Sequence, residues 1–122
     1  MNDKKSKRSI GFSYAWNGLR EVLKTEQNVK NHFMAVPFVI VAGVIFQIAL
    51  VEWAVIILTI GFVIVTEMLN TAIERLIDYV KPEIHPLAGV IKDISAGAVL
   101  LSAIISVIVG LIIFLPELYE LF

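Results

Sequence analysis

Three long apolar runs, at residues 33–51, 53–73 and 94–115, set the plan of this 122-residue chain. Each is about 19 residues or longer, which at ~1.5 Å per helical residue is enough to cross ~30 Å of hydrocarbon. Ahead of them, residues 10–31 repeat with the period of a helix. Phe12, Ala15, Trp16, Leu19, Val22 and Leu23 share one face, and Asn17, Arg20, Glu21, Lys24 and Asn28 share the other. That pattern predicts an amphipathic helix lying in a membrane surface. Glu26 breaks it, projecting within about 20° of Leu19 on the apolar side. It is either a carboxylate at a frayed helix end reaching back to water, or one pointed at a cation. Pro37 falls near the start of the first span, where a missing N–H is tolerated, and Gly43 and Gln47 suit close helix contacts. Glu52 and Trp53 form a short turn with an interfacial aromatic anchor. Residues 79–91, with Pro82 and Pro86, read as a connecting loop. In the third span Ser95, Ala98, Ser102, Ser106 and Gly110 recur every three or four positions as a packing face, and Pro116 ends the helix.

The second span carries an anomaly. On a helix Glu67, Asn70, Thr71, Glu74 and Asp78 fall within roughly a third of the circumference, while Met68, Leu69, Ala72, Ile73, Leu76 and Ile77 cover most of the rest. An acidic stripe on an apolar helix cannot face lipid; such groups turn to a protein interior or a watery cavity. A structural ion-pair seam or solvated face is the plain reading. However, three acids and an amide with only Arg75 beside them are badly balanced as a seam. They suit oxygen ligation of a divalent cation.

Composition agrees with a membrane protein. The chain is 58% hydrophobic and only 17% charged, with a mean hydropathy of +0.85. It is short enough for a single domain, 1–122. Cysteine is absent, which excludes disulfides, thiolate metal sites and cysteine nucleophiles. No cleavable leader is expected, because the first long apolar run begins far from Met1 and is long enough to span. The positive charges are unevenly spread. Seven Lys and Arg precede the first span, three lie between the second and third, and none lies in the 51–54 turn or after the third. The positive-inside rule puts the N-terminus and the second connection on the cytoplasmic side of the membrane. The basic start of the chain, Lys4 to Arg8, suits anionic headgroups; no nucleic-acid partner is expected. Glu26, Glu67, Asn70, Glu74, Asp78, Lys92 and Asp93 then gather at one boundary, where a site meets both a cytoplasmic substrate and a lipid headgroup.

Lys92 offers a point charge for phosphate, and Glu26 and Glu74 offer oxygens for Mg²⁺, which takes one or two carboxylates plus substrate phosphates. No glycine-rich phosphate loop is present, so side chains and metal would have to hold any nucleotide. Glu67, the acid most embedded among apolar neighbours, is placed to act as a general base. A small ion-conducting or transport subunit is the competing reading of buried acids. Glu26 on a surface helix and Lys92-Asp93 at a span entrance fit it poorly. His85 alone reads as a loop histidine, His32 as an interfacial residue at the start of the first span, and Trp16 and Trp53 as anchors. The serines of the third span read as packing groups.

The motif Glu67-x-x-Asn70-Thr71-Ala72-Ile73-Glu74-x-x-x-Asp78 is followed by His85-Pro86-Leu87-Ala88 and Lys92-Asp93-x-x-Ala96-Gly97-Ala98-Val99. Together they closely resemble the small prokaryotic diacylglycerol kinase family, from about Tyr14-Ala15-Trp16-x-Gly18-Leu19-Arg20 to Pro116. The resemblance implies an all-α membrane protein, with a surface helix and three transmembrane helices per chain, assembled as a homotrimer. It implies transfer of the γ-phosphate of ATP, with Mg²⁺, to a lipid hydroxyl. By position Glu67 matches the catalytic base and Asn70 the motif asparagine that orients reacting groups, while Glu26 and Glu74 match the metal-binding glutamates. Tyr14, Glu83, Ile84, His85, Lys92 and Asp93 fall with Glu26 and Glu74 on nucleotide-binding positions. Lys7, with Arg8 adjacent, stands where the family has an N-terminal arginine. Trp16, Arg20, Glu67 and Ala96 fall on the lipid-substrate side, and Asp78 supports the motif from behind. Thr71, the His85-Pro86-Leu87-Ala88 loop, Ala96-Gly97-Ala98-Val99 and residues 110–116 look like the Gram-positive branch of a bacterial cell-membrane family, whose members prefer undecaprenol to diacylglycerol.

Overall fold

The computed structural model describes residues 4–81 and 83–122, with side chains from Gly11 onward. Lys7 and Arg8 therefore lie, as side chains, outside the described residues. The described chain is helical throughout: α1 (Lys4–Thr25), α2 (Gln27–Ile45), α3 (Leu50–Val80) and α4 (Pro86–Glu120). The last three are each long and apolar enough to cross a membrane, so the chain is an all-helical membrane protein.

The helix boundaries depart from the sequence reading in physically instructive ways. The expected 10–31 helix is interrupted at Glu26, whose backbone is extended (φ −105°, ψ 110°) and precedes α2. Glu26 therefore does not sit on a continuous apolar face. Because α2 starts at Gln27, Pro37 lies well inside the helix rather than near its start, where it removes the N–H that would bond the Phe33 carbonyl. Apolar spans tolerate such a proline when neighbouring helices support them. The α2 helix ends before residue 51, in a turn where Gln47 adopts φ 52°. This left-handed conformation costs a non-glycine residue roughly 1–2 kcal/mol. Gln47 is thus a turn residue, not a helix-packing residue. The turn is held by the Ile48 amide donating to the Gly43 carbonyl (3.2 Å) and by the Ala49 amide donating to Glu52 Oε1 (2.9 Å).

The connection between α3 and α4 is far shorter than 79–91, because Pro86 starts α4 rather than stopping a helix. Its missing N–H is harmless in a first turn. His85 Nδ1 accepts the Leu87 amide at 3.1 Å and caps that turn. Pro116 likewise lies inside α4, which continues to Glu120.

The three long helices run up, down and up, with α3 packed mainly on α4 and more lightly on α2. At the end nearest the α2–α3 turn, Ile48, Ile56 and Ile113 form a buried cluster, beside which Phe46 and Phe114 stack with ring centroids 6.3 Å apart. The ring of Trp53 lies directly over Gly43, so any side chain at that position meets the indole. Further along, Ser95 and Ser102 are buried, as a packing face requires, whereas Ala98 of the same series is exposed. Hydroxyls in the apolar segments satisfy themselves on their own helices: Thr59 on the Val55 carbonyl, Thr66 on that of Phe62, Ser102 on that of Val99 and Ser106 on that of Ala103. With no water available at that depth, such back-bonding is the available partner.

Candidate active site

The acidic stripe of α3 points inward at one end and opens outward at the other. Glu67 and Thr71 are buried, Asn70 and Glu74 half-buried, and Asp78 exposed. Glu67 lies about 26 Å along α3 from Leu50 by helical rise, near the far edge of a ~30 Å hydrocarbon layer. Burying a charged or polar group there demands partners.

Glu67 has one. His32 Nε2 lies 3.3 Å from Glu67 Oε1, across the α2–α3 contact. Only 6% of the Glu67 side chain is exposed, against 33% for His32, so an enclosed carboxylate is paired with a partly open imidazole. Sequence reading treats His32 as an interfacial residue and misses the pairing. One turn on from Glu67, the Asn70 side-chain oxygen is buried with no hydrogen-bond partner among the described residues. An unsatisfied buried amide oxygen costs roughly 1–3 kcal/mol, and in a native site it marks a place for a ligand or ion.

Below the His32–Glu67 pair runs a largely apolar cleft of about 320 Å³ between α2, α3 and α4, lined by His32, Val36, Val39, Ile60, Val63, Ser106, Gly110 and Phe114 among others. Val63 is one turn from Glu67 and His32 lines the cleft, so the buried carboxylate lies close to a groove otherwise suited to hydrocarbon.

The other expected residues are distributed unequally. Arg75 reaches back to the end of α1, donating to Glu21 Oε2 (2.9 Å) and Thr25 Oγ1 (2.7 Å), and more distantly to Glu26 Oε1 (3.4 Å). The guanidinium thereby brings Glu26 to the α3 stripe. Glu74 joins none of the ion pairs among the described residues. Lys92 pairs with Asp78, giving Asp78 a partner that the sequence does not suggest. Glu83 faces Lys81 at 3.6 Å. Ile84 is fully exposed, and Asp93 and Ala96 are exposed on α4. Tyr14, Trp16 and Arg20 are exposed on α1, apart from the Glu67 cluster. Among the described residues of one chain, no three His, Asp or Glu side chains gather to hold a metal ion. Glu26 and Glu74 each carry carboxylate oxygens, the donor type Mg²⁺ takes, and one or two carboxylates serve where substrate phosphates complete the shell.

Membrane-length helices, a buried carboxylate with an imidazole partner and a half-buried acid–amide stripe at one boundary, with an apolar cleft nearby, define an integral-membrane protein able to bring polar chemistry to a lipid. Comparison with known proteins makes the class specific. Residues 13–114 match the profile of the prokaryotic diacylglycerol kinases. The chain is 43% identical over 107 residues to the undecaprenol kinase of Bacillus subtilis, covering 88% of this chain and 87% of that protein. It is 40% identical over 113 residues to a diacylglycerol kinase of Synechocystis, covering 92% of this chain and 65% of that longer protein. Over 95 residues it is 32% identical to the diacylglycerol kinase of Escherichia coli K12, covering 78% of each. The chain belongs to the prokaryotic diacylglycerol kinase family and is an ATP-dependent lipid kinase.

Proposed function

We propose that the chain phosphorylates undecaprenol, with Glu67 accepting the proton of the lipid hydroxyl as that oxygen attacks the γ-phosphorus of ATP. The observation that carries this reading is Glu67 itself, buried and paired with His32, which lines the apolar cleft. An alcohol there needs a positioned proton acceptor to become a competent nucleophile. Asn70, with its free buried oxygen, orients the reacting groups one turn away. Glu26 and Glu74 would hold Mg²⁺ against the phosphates; when bound, the ion neutralises charge on the transferring group. Lys92, released from Asp78, adds a cation for phosphate, while Lys7, Tyr14, Glu83, Ile84, His85 and Asp93 complete the nucleotide side. Trp16, Arg20 and Ala96 face the lipid.

Undecaprenol is favoured over diacylglycerol by the 43% identity to an undecaprenol kinase across nearly the whole chain and by the branch-like residues at 71, 85–88 and 110–116. The diacylglycerol kinases at 40% and 32% identity support the alternative acceptor. Purified enzyme given labelled ATP and either lipid in the same mixed micelles decides between them. Turnover at least about 10-fold higher per KM for the polyprenol, about 1.4 kcal/mol of discrimination, is expected; equal or reversed preference overturns it.

The working unit is a homotrimer with the N-terminus cytoplasmic. Symmetric closure supplies the cover that a single chain leaves off Glu74 and Asp78, and the charge asymmetry of the sequence supports the orientation. Phe12 and Trp16 stay exposed on α1, as suits a helix resting on the membrane surface. Mass measurement in mild detergent is expected to give three chains; a fully active monomer overturns this.

A further inference from the structure

The mechanism leaves one buried contact unused. His32 is in contact with Glu67, and it reaches across from a different helix. The two lie far apart in sequence, and the contact forms only when α2 and α3 have packed antiparallel. Among the residues that line the cleft with His32, Thr59 and Ser106 have their hydroxyls committed to carbonyls of their own helices. Neither competes for the carboxylate. The imidazole also lines the cleft, so it touches both the base and the volume available to an acceptor.

A carboxylate accepts and does not donate, so in this contact the imidazole supplies the hydrogen through Nε2–H, bound for Oε1. That leaves Oε2 of Glu67 as the oxygen free to take a proton. A lone glutamate on a helix end swings through several rotamers. One tied at Oε1 presents Oε2 in a narrow range of directions, and a general base works only within hydrogen-bond reach of its proton. The arrangement follows a common logic in which the base is itself oriented by a third group.

We propose that His32 is a positioning residue for the phosphoryl transfer, fixing Glu67 Oε1 through Nε2–H so that Oε2 meets the acceptor hydroxyl. This rests on the reading of Glu67 as the base. During transfer the acceptor oxygen bonds to the γ-phosphorus as the bond from that phosphorus to the bridging oxygen of ADP breaks. The hydroxyl proton passes to Glu67 Oε2, and His32 keeps its own proton throughout.

The test is a set of variants assayed as purified membrane enzyme for kcat, for KM of ATP and for assembly state. His32→Leu is expected to lower kcat by about 10-fold or more, since misplacing a reacting group by an ångström costs on the order of 10²-fold, with KM for ATP unchanged. In His32→Gln the side-chain amide nitrogen can reach the position of Nε2, and activity is expected to return to within about 3-fold of the parent. In a Glu67→Asp background, where the shortened carboxylate has already left the imidazole, His32→Leu should add less than about 2-fold. Wild-type turnover in His32→Leu overturns the proposal, as does an undiminished loss in the Glu67→Asp background. If His32→Leu assembles poorly, the Gln variant decides instead: a properly assembled His32→Gln with the full catalytic loss also overturns it. Glu67→Gln measured alongside separates the two readings. Near-normal turnover there removes the base assignment, whereas a dead Glu67→Gln with an unaffected His32→Leu removes only the role of His32.

Discussion

Glu67→Gln is expected to lose at least about 10²-fold in turnover, because general-base assistance contributes typically 10²–10⁴-fold. The substitution is cleaner than most at a buried acid. Glutamine keeps the side-chain length, and its amide oxygen still accepts from His32 Nε2–H at the position where Oε1 now lies 3.3 Å away. What it removes is the ability to take a proton. Burial of the site means that no solvent base stands ready to replace the carboxylate, since only 6% of the side chain is exposed. Nucleotide affinity should change little, because the phosphate-binding candidate Lys92 and the metal-binding candidates Glu26 and Glu74 make no described contact with Glu67. Kinetics with saturating lipid, alongside equilibrium binding of a non-hydrolysable ATP analogue, check both halves. Near-normal kcat would end the assignment of Glu67 as the base.

The contrast between Glu67 and His32 measures what the sequence reveals. Glu67, Asn70, Thr71 and Glu74 are legible because they lie on one helix, where a fixed rotation per residue turns spacing into direction. The structure puts Glu67 and Thr71 in the interior accordingly. His32 is illegible by that logic because its partner is on another helix. The signal that was available is tertiary: in an antiparallel pair folding about the 46–49 turn, residues at comparable distances from the turn face one another, and His32 and Glu67 do so. The break at Glu26 is illegible for a related reason: helical periodicity runs smoothly through it, while the contacts of Arg75 with Glu21, Thr25 and Glu26 come from far away in sequence. Pro86 is a different case. The preference of proline for the first helical turn was readable beside His85, and taking it only as a helix stop lengthened the loop. Fold class and the three spans were carried by hydrophobic run length alone, the most robust of these signals.

Glu26→Gln and Glu74→Gln are expected to raise the magnesium concentration needed for half-maximal activity by about 10-fold or more, and to lower turnover as well. The magnitude follows from ligand chemistry. Changing only the groups that support a metal ligand typically costs 10–100-fold in affinity or activity, and a carboxylate that itself binds the ion should matter at least as much. The surrounding contacts make these variants informative. Arg75 is anchored by Glu21 at 2.9 Å and by Thr25 at 2.7 Å, with Glu26 a more distant third at 3.4 Å. The junction of α1 with α3 therefore survives the loss of the Glu26 charge. Glu74 joins no ion pair among the described residues, so neutralising it breaks no such pair. A folding defect is thus a poor explanation for a loss in either variant. Binding of Mn²⁺ followed by paramagnetic resonance, in the presence of a non-hydrolysable nucleotide, reads the metal site independently of turnover. Both variants should bind the ion more weakly while keeping the assembly state of the parent. Unchanged Mn²⁺ binding and an unchanged magnesium titration in both would remove Glu26 and Glu74 from the metal site. A loss in Glu74→Gln alone would leave Glu26 as the residue whose carboxylate Arg75 holds for structure.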